Sequence, residues 1–309
     1  MNSVTSLINI LTGPALFIRH DEYISELASL VPFFITKQEL PESNYEKISR
    51  KKLKELDIEG SIKVTDEYTS TELDTNTLAY HHVFGTITSE SNWRFSTKGL
   101  QKNLFAAEAN ENISGHFLHI SSGGGQAWYL EQLAETLRSL EKPVHAFIER
   151  VCASAAYYIA SQSDFISAAT PFDVIGSIGV MTSYMDLTPM LEKWGIKFIE
   201  EYGTNSDLKN KKYNDLRTGK PEQYIKEELD PIRDRFVSDV KLGRSEIAKL
   251  PDDHPILRGE TFYANIATKN GLIDSVENFS VALKRTHDAA IAWSSKKNDR
   301  KKALQILNQ

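Results

Sequence analysis

From residue 78 onward, apolar runs of strand length alternate with stretches of helical periodicity, and this alternation constrains the fold more than any other feature of the chain. The spacing predicts strands over residues 80–87, 116–120 and 144–148, with helices near 99–110 and 127–140 between them. Strands separated by helices pair in parallel through right-handed crossovers, so an α/β architecture with helices flanking a parallel sheet is expected. A short helix carrying Ser154 follows, then strands over 165–168 and 174–181. Helical segments are expected near 188–194 and 221–250, where Pro231 should break or kink the longer one.

Residues 1–35 read as a short helical region: Gly13 and Pro14 mark a turn, and Ile24, Leu27, Leu30 and Val31 recur at helical spacing. Residues 36–75 are polar and charged, which suggests a solvated helix and a flexible arm. Three regions are therefore expected: a helical and flexible N-terminal region over 1–75, an α/β domain over 76–285, and a mobile basic tail over 286–309.

A chain of 309 residues, 40% of them hydrophobic, can bury a substantial core. Its net charge of −6 argues against a general nucleic-acid binder, which would show a basic face. Residues 1–11 lack the basic start and long apolar stretch of a secretory signal, and no window approaches the length of a membrane span, so a cytoplasmic location is expected. The one cysteine, Cys152, excludes an intramolecular disulfide and reads as a small core residue.

Two local features suggest acyl transfer. Cys152-Ala153-Ser154-Ala155-Ala156 places one hydroxyl among small residues where an apolar strand gives way to a helix, at that helix's positive end. Upstream, Ile120-Ser121-Ser122-Gly123-Gly124-Gly125 ends another apolar strand in a loop whose backbone N–H groups can face an oxyanion. Each alone has an ordinary structural explanation, helix packing or a turn. A nucleophile and a donor loop are nevertheless two separate requirements of serine hydrolysis.

In this order the two segments resemble peptidase family S49, the group of signal-peptide peptidases and phage head proteases. Gly176-Ser177-Ile178-Gly179-Val180, Gly195-Ile196-Lys197-Phe198 and Gly271-Leu272-Ile273-Asp274 extend the resemblance over residues 76–285. It implies a ClpP/crotonase-like fold of layered parallel sheets with flanking helices, here with a helical N-terminal extension. Residues 14–18 are loosely similar to the leader of phage head proteases. With no membrane span in view, the chain resembles the soluble phage-type branch. That implies a head maturation protease that assembles into rings and cleaves extended scaffold or capsid polypeptides, without a cofactor.

The mechanism implied by the resemblance is a serine nucleophile paired with a neutral lysine base, whose pKa must fall from about 10.4. Ser154 would attack the scissile carbonyl, and the N–H groups of Gly123 or Gly124 with that of Ala155 would hold the oxyanion. The family's lysine position is occupied by Ser206, and a hydroxyl cannot serve as that base. Three accounts stand side by side. Lys209, Lys211 or Lys212 shifts into the site, the chain is an inactive variant, or a neighbouring subunit supplies the base. If Ala153, Ala155 and Ala156 line the site, small substrate side chains should be preferred.

Two further functions are weighed against this one. A crotonase-like acyl-CoA enzyme would need paired carboxylates near the glycine loop, for which only Glu108 and Glu131 offer themselves. A non-catalytic, peptidase-like assembly protein is the other. His81, His82, His116 and His119 fit no metal-binding spacing and are expected in the core or on the surface. Asp173 and Asp186 are expected as caps or turns, and Tyr157 and Tyr158 as packing behind the serine.

Overall fold

A computed structural model describes residues 16–18, 62–90, 95–184, 188–197 and 199–307. The strands are β1 (Leu16–Ile18), β2 (Val64–Thr65), β3 (Thr77–Phe84), β4 (Ile113–Ser122), β5 (Gly124–Gln126), β6 (Val144–Ala153), β7 (Phe165–Ala168), β8 (Val174–Gly176), β9 (Thr261–Tyr263) and β10 (Ser275–Val276). Between them lie α1 (Thr97–Ala109), α2 (Leu130–Ser139), α3 (Ala155–Ala160), α4 (Thr188–Lys193), α5 (Lys211–Arg217), α6 (Glu222–Tyr224), α7 (Asp230–Gly243), α8 (Ser245–Ala248) and α9 (Ala264–Lys269); α10 (Phe279–Leu307) follows the last strand.

The main sheet runs β10-β7-β6-β4-β3-β2, and every pair along it is parallel. The parallel sheet with flanking helices expected from the alternation is therefore what the chain forms. Strand β4 is buried along its full length, as a central strand covered on both faces must be. Leu100, Leu104, Leu133, Leu137 and Phe236 cover one face, and Phe279, Ala282, Leu283 and Ala290 of α10 cover Tyr80, Phe117 and Phe147 on the other.

Strand β6 divides its partners. Its first half pairs with β7 through His145 to Ile148, and its second half pairs with β8 through Val151 to Ala153. The change falls at Arg150, whose φ is +73°, and the β4–β6 register shifts between Ile120 and Ser122. Such a bulge re-aims the strand, carrying its end and Ser154 away from the β7 edge.

Several expected boundaries move. Residues 64–75 belong to the domain: β2 pairs with β3, and the Tyr68 hydroxyl donates to the Tyr80 carbonyl at 2.6 Å. The boundary expected near Asn76 hid behind charged residues, because only Ile62, Val64, Tyr68 and Leu73 carry apolar contacts there. At the other end, the boundary at residue 285 falls inside α10, where Thr286 and Ala290 are buried and Ser294 donates to Ser114 at 2.9 Å. The expected basic tail is thus the continuation of a packed helix. Leu16–Ile18, read as part of a helical region, is a strand; the rest of residues 1–61 lies outside the described residues. Pro231 sits in the first turn of α7, and a π turn over Ile225–Leu229 precedes it. The ring nitrogen donates no bond, and the turn closes instead from the Asp230 N–H to the Ile225 carbonyl.

Helix α7 is fixed to α3 through a buried polar contact. Asp239 is fully buried; it accepts from the Tyr158 hydroxyl and from Arg235 Nε at 2.9 Å, and faces Arg138 Nη2 at 3.3 Å. The two arginines are partly exposed, so water screens part of each ion pair with the buried carboxylate. Replacing Asp239→Ala would remove the buried acceptor shared by the Tyr158 hydroxyl and Arg235, so a loss of about 1–3 kcal/mol is expected. It should read out as a lower urea midpoint at unchanged slope, and an unchanged midpoint would refute the assignment.

Candidate active site

Two chain ends meet in the construction of the site. Strand β4 ends at Ser122, whose hydroxyl donates to the Gly85 carbonyl at 2.6 Å and accepts from the Gly124 N–H at 3.1 Å. Gly124 has a φ of +114°, a conformation that side chains rarely adopt. At Gly125 a Cβ would stand 2.0 Å from the Ile87 carbonyl oxygen, so the third glycine is required by the close approach of the 85–88 segment.

The second element is the junction of β6 and α3. Ser154 has φ +56° and ψ −119°, a strained conformation for a residue with a side chain, worth roughly 1–3 kcal/mol. Its backbone holds it there: the N–H donates to the Gly176 carbonyl at 2.8 Å, and its carbonyl accepts from the Tyr158 N–H at 2.9 Å. A serine at a helix start ordinarily caps the first turn, yet this hydroxyl caps no helical N–H. Ala155 opens the first turn of α3, where N–H groups have no acceptor within the helix. Helix α3 packs against β5, which brings the serine junction and the glycine turn side by side.

The small residues around Ser154 are explained by this packing. Ala153, Ala155, Ala156 and Ala160 are fully buried, as is Cys152, whose thiol is pushed up by burial. Tyr157 and Tyr158 pack behind the serine as expected, with the Tyr157 hydroxyl donating to the Leu272 carbonyl at 2.8 Å. The Gly-Ser-Ile-Gly-Val segment contributes the neighbouring strand, with Gly176 paired to Ala153. Gly176 and Ser177 are in turn held by β9: the Ser177 N–H donates to the Glu260 carbonyl at 2.7 Å, and a Cβ on Gly176 would meet the same oxygen at 2.7 Å. Glu260 and Ile87 were not foreseen as supports; both act through backbone atoms, which leave no side-chain signature.

The segment expected to supply a base is arranged differently. Helices α4 and α5 bury no residue, and residues 199–205 between them are exposed. Ser206 donates its N–H to the Gly203 carbonyl at 3.0 Å and accepts from the Lys209 N–H at 3.1 Å, both local turns. Lys211 pairs with Asp215, and Lys212 pairs with Glu228 and, at 3.6 Å, Glu227. The hydrogen bond to Glu228 raises the Lys212 pKa, the opposite of what a neutral base requires. Lys209 is exposed and, among the described residues, has no ion pair. The chain thus brings Ser154 and the glycine turn together, and leaves Ser206 and Lys209 on an exposed arm.

Other candidates settle into structural places. Glu108 accepts from His116 at 3.0 Å and from the Glu141 N–H at 3.0 Å, while Glu131 pairs with Arg235 at 3.1 Å. The carboxylate pair of a thioester enzyme is not assembled. Asp173 caps a turn, accepting from the Thr170 N–H and hydroxyl at 2.9 and 2.8 Å. His81, His82, His116 and His119 are buried on the sheet, and no group of metal-ligating side chains exists among the described residues. Asp186 and Phe198 lie outside the described residues.

A strained serine between a parallel strand and a helix, beside a glycine turn, is a layout suited to acyl transfer. The model of peptidase family S49 matches residues 136–292, just over half of the chain, and the chain belongs to that family. It is 27% identical over 216 residues to protease 4 of Haemophilus influenzae, covering 68% of this chain and 34% of that protein. It is also 27% identical over 236 residues to a putative signal peptide peptidase of Enterococcus faecium, covering 70% and 64%. The chain therefore spans between about a third and just under two thirds of these relatives' lengths. Among solved structures, a mutant of the membrane-bound stomatin-specific protease 1510-N with a substrate peptide aligns at a TM-score of 0.43 and 16% identity, over 70% of this chain and 80% of that one. No helix among the described residues is long and apolar enough to cross a membrane.

Proposed function

We propose that this chain is a serine endopeptidase in which Ser154 is the nucleophile and the glycine turn with the Ala155 N–H holds the oxyanion. The observation that carries the reading is the Ser154 backbone, held in a strained conformation that leaves the hydroxyl out of any helix cap. Strain of this kind persists only where the surroundings over-determine it, and here Gly176 and Tyr158 do so. The Gly124 N–H, bound to Ser122 Oγ at rest, would turn to the oxyanion as the tetrahedral intermediate forms.

Lys209 is the base in this reading, delivered when the 188–217 arm folds over the site. Of the three lysines near Ser206, it is the one not held by a carboxylate among the described residues. The arm exposes Trp194, Ile199 and Leu208 at 70%, 78% and 74%, apolar surface that a neighbouring subunit of a ring would cover. The substrate is an extended segment of scaffold or capsid protein in an assembling phage or prophage particle within the host cytoplasm. Support for that finer role is the resemblance of the leader to those of head proteases.

Cleavage of a disordered polypeptide by the unmodified chain, Lys209→Ala and Ser206→Lys tests the base. Loss of about 10²-fold or more is expected for Lys209→Ala. Full activity in that variant, with a gain in Ser206→Lys alone, would show that the family's lysine position is vacant and that Lys209 plays no part.

A further inference from the structure

Strand β5 has two edges, and they are differently used. Toward one edge, the Gly124 carbonyl accepts from the Ile87 N–H at 2.8 Å and the Gln126 N–H donates to the Ile87 carbonyl at 2.9 Å. Successive residues of a strand turn their polar groups to opposite sides, so the Gly125 N–H and carbonyl face the other edge. There lies β1, antiparallel, with Leu16 opposite Gln126, Phe17 opposite Gly125 and Ile18 opposite Gly124.

The direction of that pairing has chemical meaning. Strand β5 leads away from the turn at Gly123, so an antiparallel partner runs toward it, and Ile18 is the end of β1 nearest the turn. The acyl half of a peptide substrate must run the same way, because its carbonyl has to arrive last, at the oxyanion donors. A segment lying parallel to β5 would bring its amino end there. Ser154 is only 2% exposed and the three glycines are buried in the chain that carries this strand.

We infer that Leu16–Ile18 occupies in cis the sheet edge on which an extended polypeptide substrate is bound, so that the leader is an intramolecular competitor of substrate. Strand addition of this kind draws its affinity from main-chain bonds and its selectivity from alternate side chains. The edge would accordingly take extended apolar segments of the Leu-Phe-Ile type. The word substrate rests on the peptidase reading; the occupancy of the edge does not.

A tethered competitor lowers apparent affinity by the fraction of chains whose edge is open. The test uses the full chain carrying Ser154→Ala, so that turnover plays no part, and a fluorescein-labelled peptide of residues 14–19 followed by polarisation. Adding Phe17→Pro removes the N–H opposite Gly125 without touching the domain. Binding tighter by about 10-fold or more is expected. Faster amide exchange over 124–126 should accompany it in the peptide-free variant. Equal affinity in both chains, or binding to neither, with unchanged exchange, would overturn the inference. Labelling of Ser154 by a fluorophosphonate in the unmodified chain is a separate arm. Its failure alongside clear competition would sink the peptidase reading alone.

Discussion

Ser154→Ala is expected to abolish turnover, by about 10⁴-fold or more against a disordered polypeptide, while leaving the thermal midpoint close to that of the unmodified chain. The side chain lost is one hydroxyl that caps no helix, and the alanine inherits the same strained backbone. Ser154→Gly should behave differently in one respect. It removes the hydroxyl equally, but glycine adopts φ +56° and ψ −119° without the steric cost of a Cβ, so part of roughly 1–3 kcal/mol of strain is relieved. Glycine also gains freedom in the unfolded chain, which offsets part of the relief. The expected order of midpoints is therefore Gly above Ala. An alanine variant that retains activity would remove Ser154 from the chemistry, and a glycine variant less stable than alanine would remove the strain.

Acidification below pH 6.5 is expected to destabilise the fold steeply, because the sheet buries histidines as neutral rings. His145 bonds the Thr286 hydroxyl through Nδ1 at 2.7 Å and the Ser167 hydroxyl through Nε2 at 2.8 Å, and burial lowers its pKa to about 4. His81 and His116 are lowered in the same direction, chiefly by burial. Their proton placement follows from chemistry. The Glu108 carboxylate accepts from His116 Nε2, which leaves His116 Nδ1 to accept from His81 Nε2 at 3.1 Å and His81 Nδ1 without a partner among the described residues. Charging the pair would place two cations in contact within the interior.

Since these groups take up protons more readily when unfolded, stability is full above about pH 6.5 and falls as pH drops toward the folded pKa values. For His145 alone the loss is roughly 2 kcal/mol by pH 5. Urea midpoints measured at pH 7 and pH 5 should differ accordingly. The His145→Gln variant should show a shallower dependence. A flat profile between those values would mean that the rings are solvated and the packing is wrong.

How much of this was legible beforehand depends on where the information resides. Period and length marked β7, the start of β6 and, to within about three residues, β3 and the start of β4, because strands covered on both faces are largely apolar. Ser154 was legible from the small residues around it, and the turn from its run of three glycines. What supports them was not: Ile87, Gly176 and Glu260 act through carbonyls and amides common to every residue. Helix α10 was missed beyond residue 285 because its buried positions, Thr286 and Ala290, are small or polar beside a run of lysines. Strand β1 lies in a stretch whose pattern also suits a helix, and only its distant partner decides between them.

The arm between β8 and α6 has a topological consequence. The chain that precedes it supplies the central strands, and the chain that follows it supplies Phe236, Leu257 and Leu272 to the same apolar cluster before returning as β9 against β8 and as β10 against β7. Both flanks are anchored on one scaffold, with Ile178 still in that cluster, so the helices α4 and α5 beyond it, which bury no residue, are not what keeps them together. Changes of length within α4 and α5 are therefore expected to leave the backbone around Ser154 as it is.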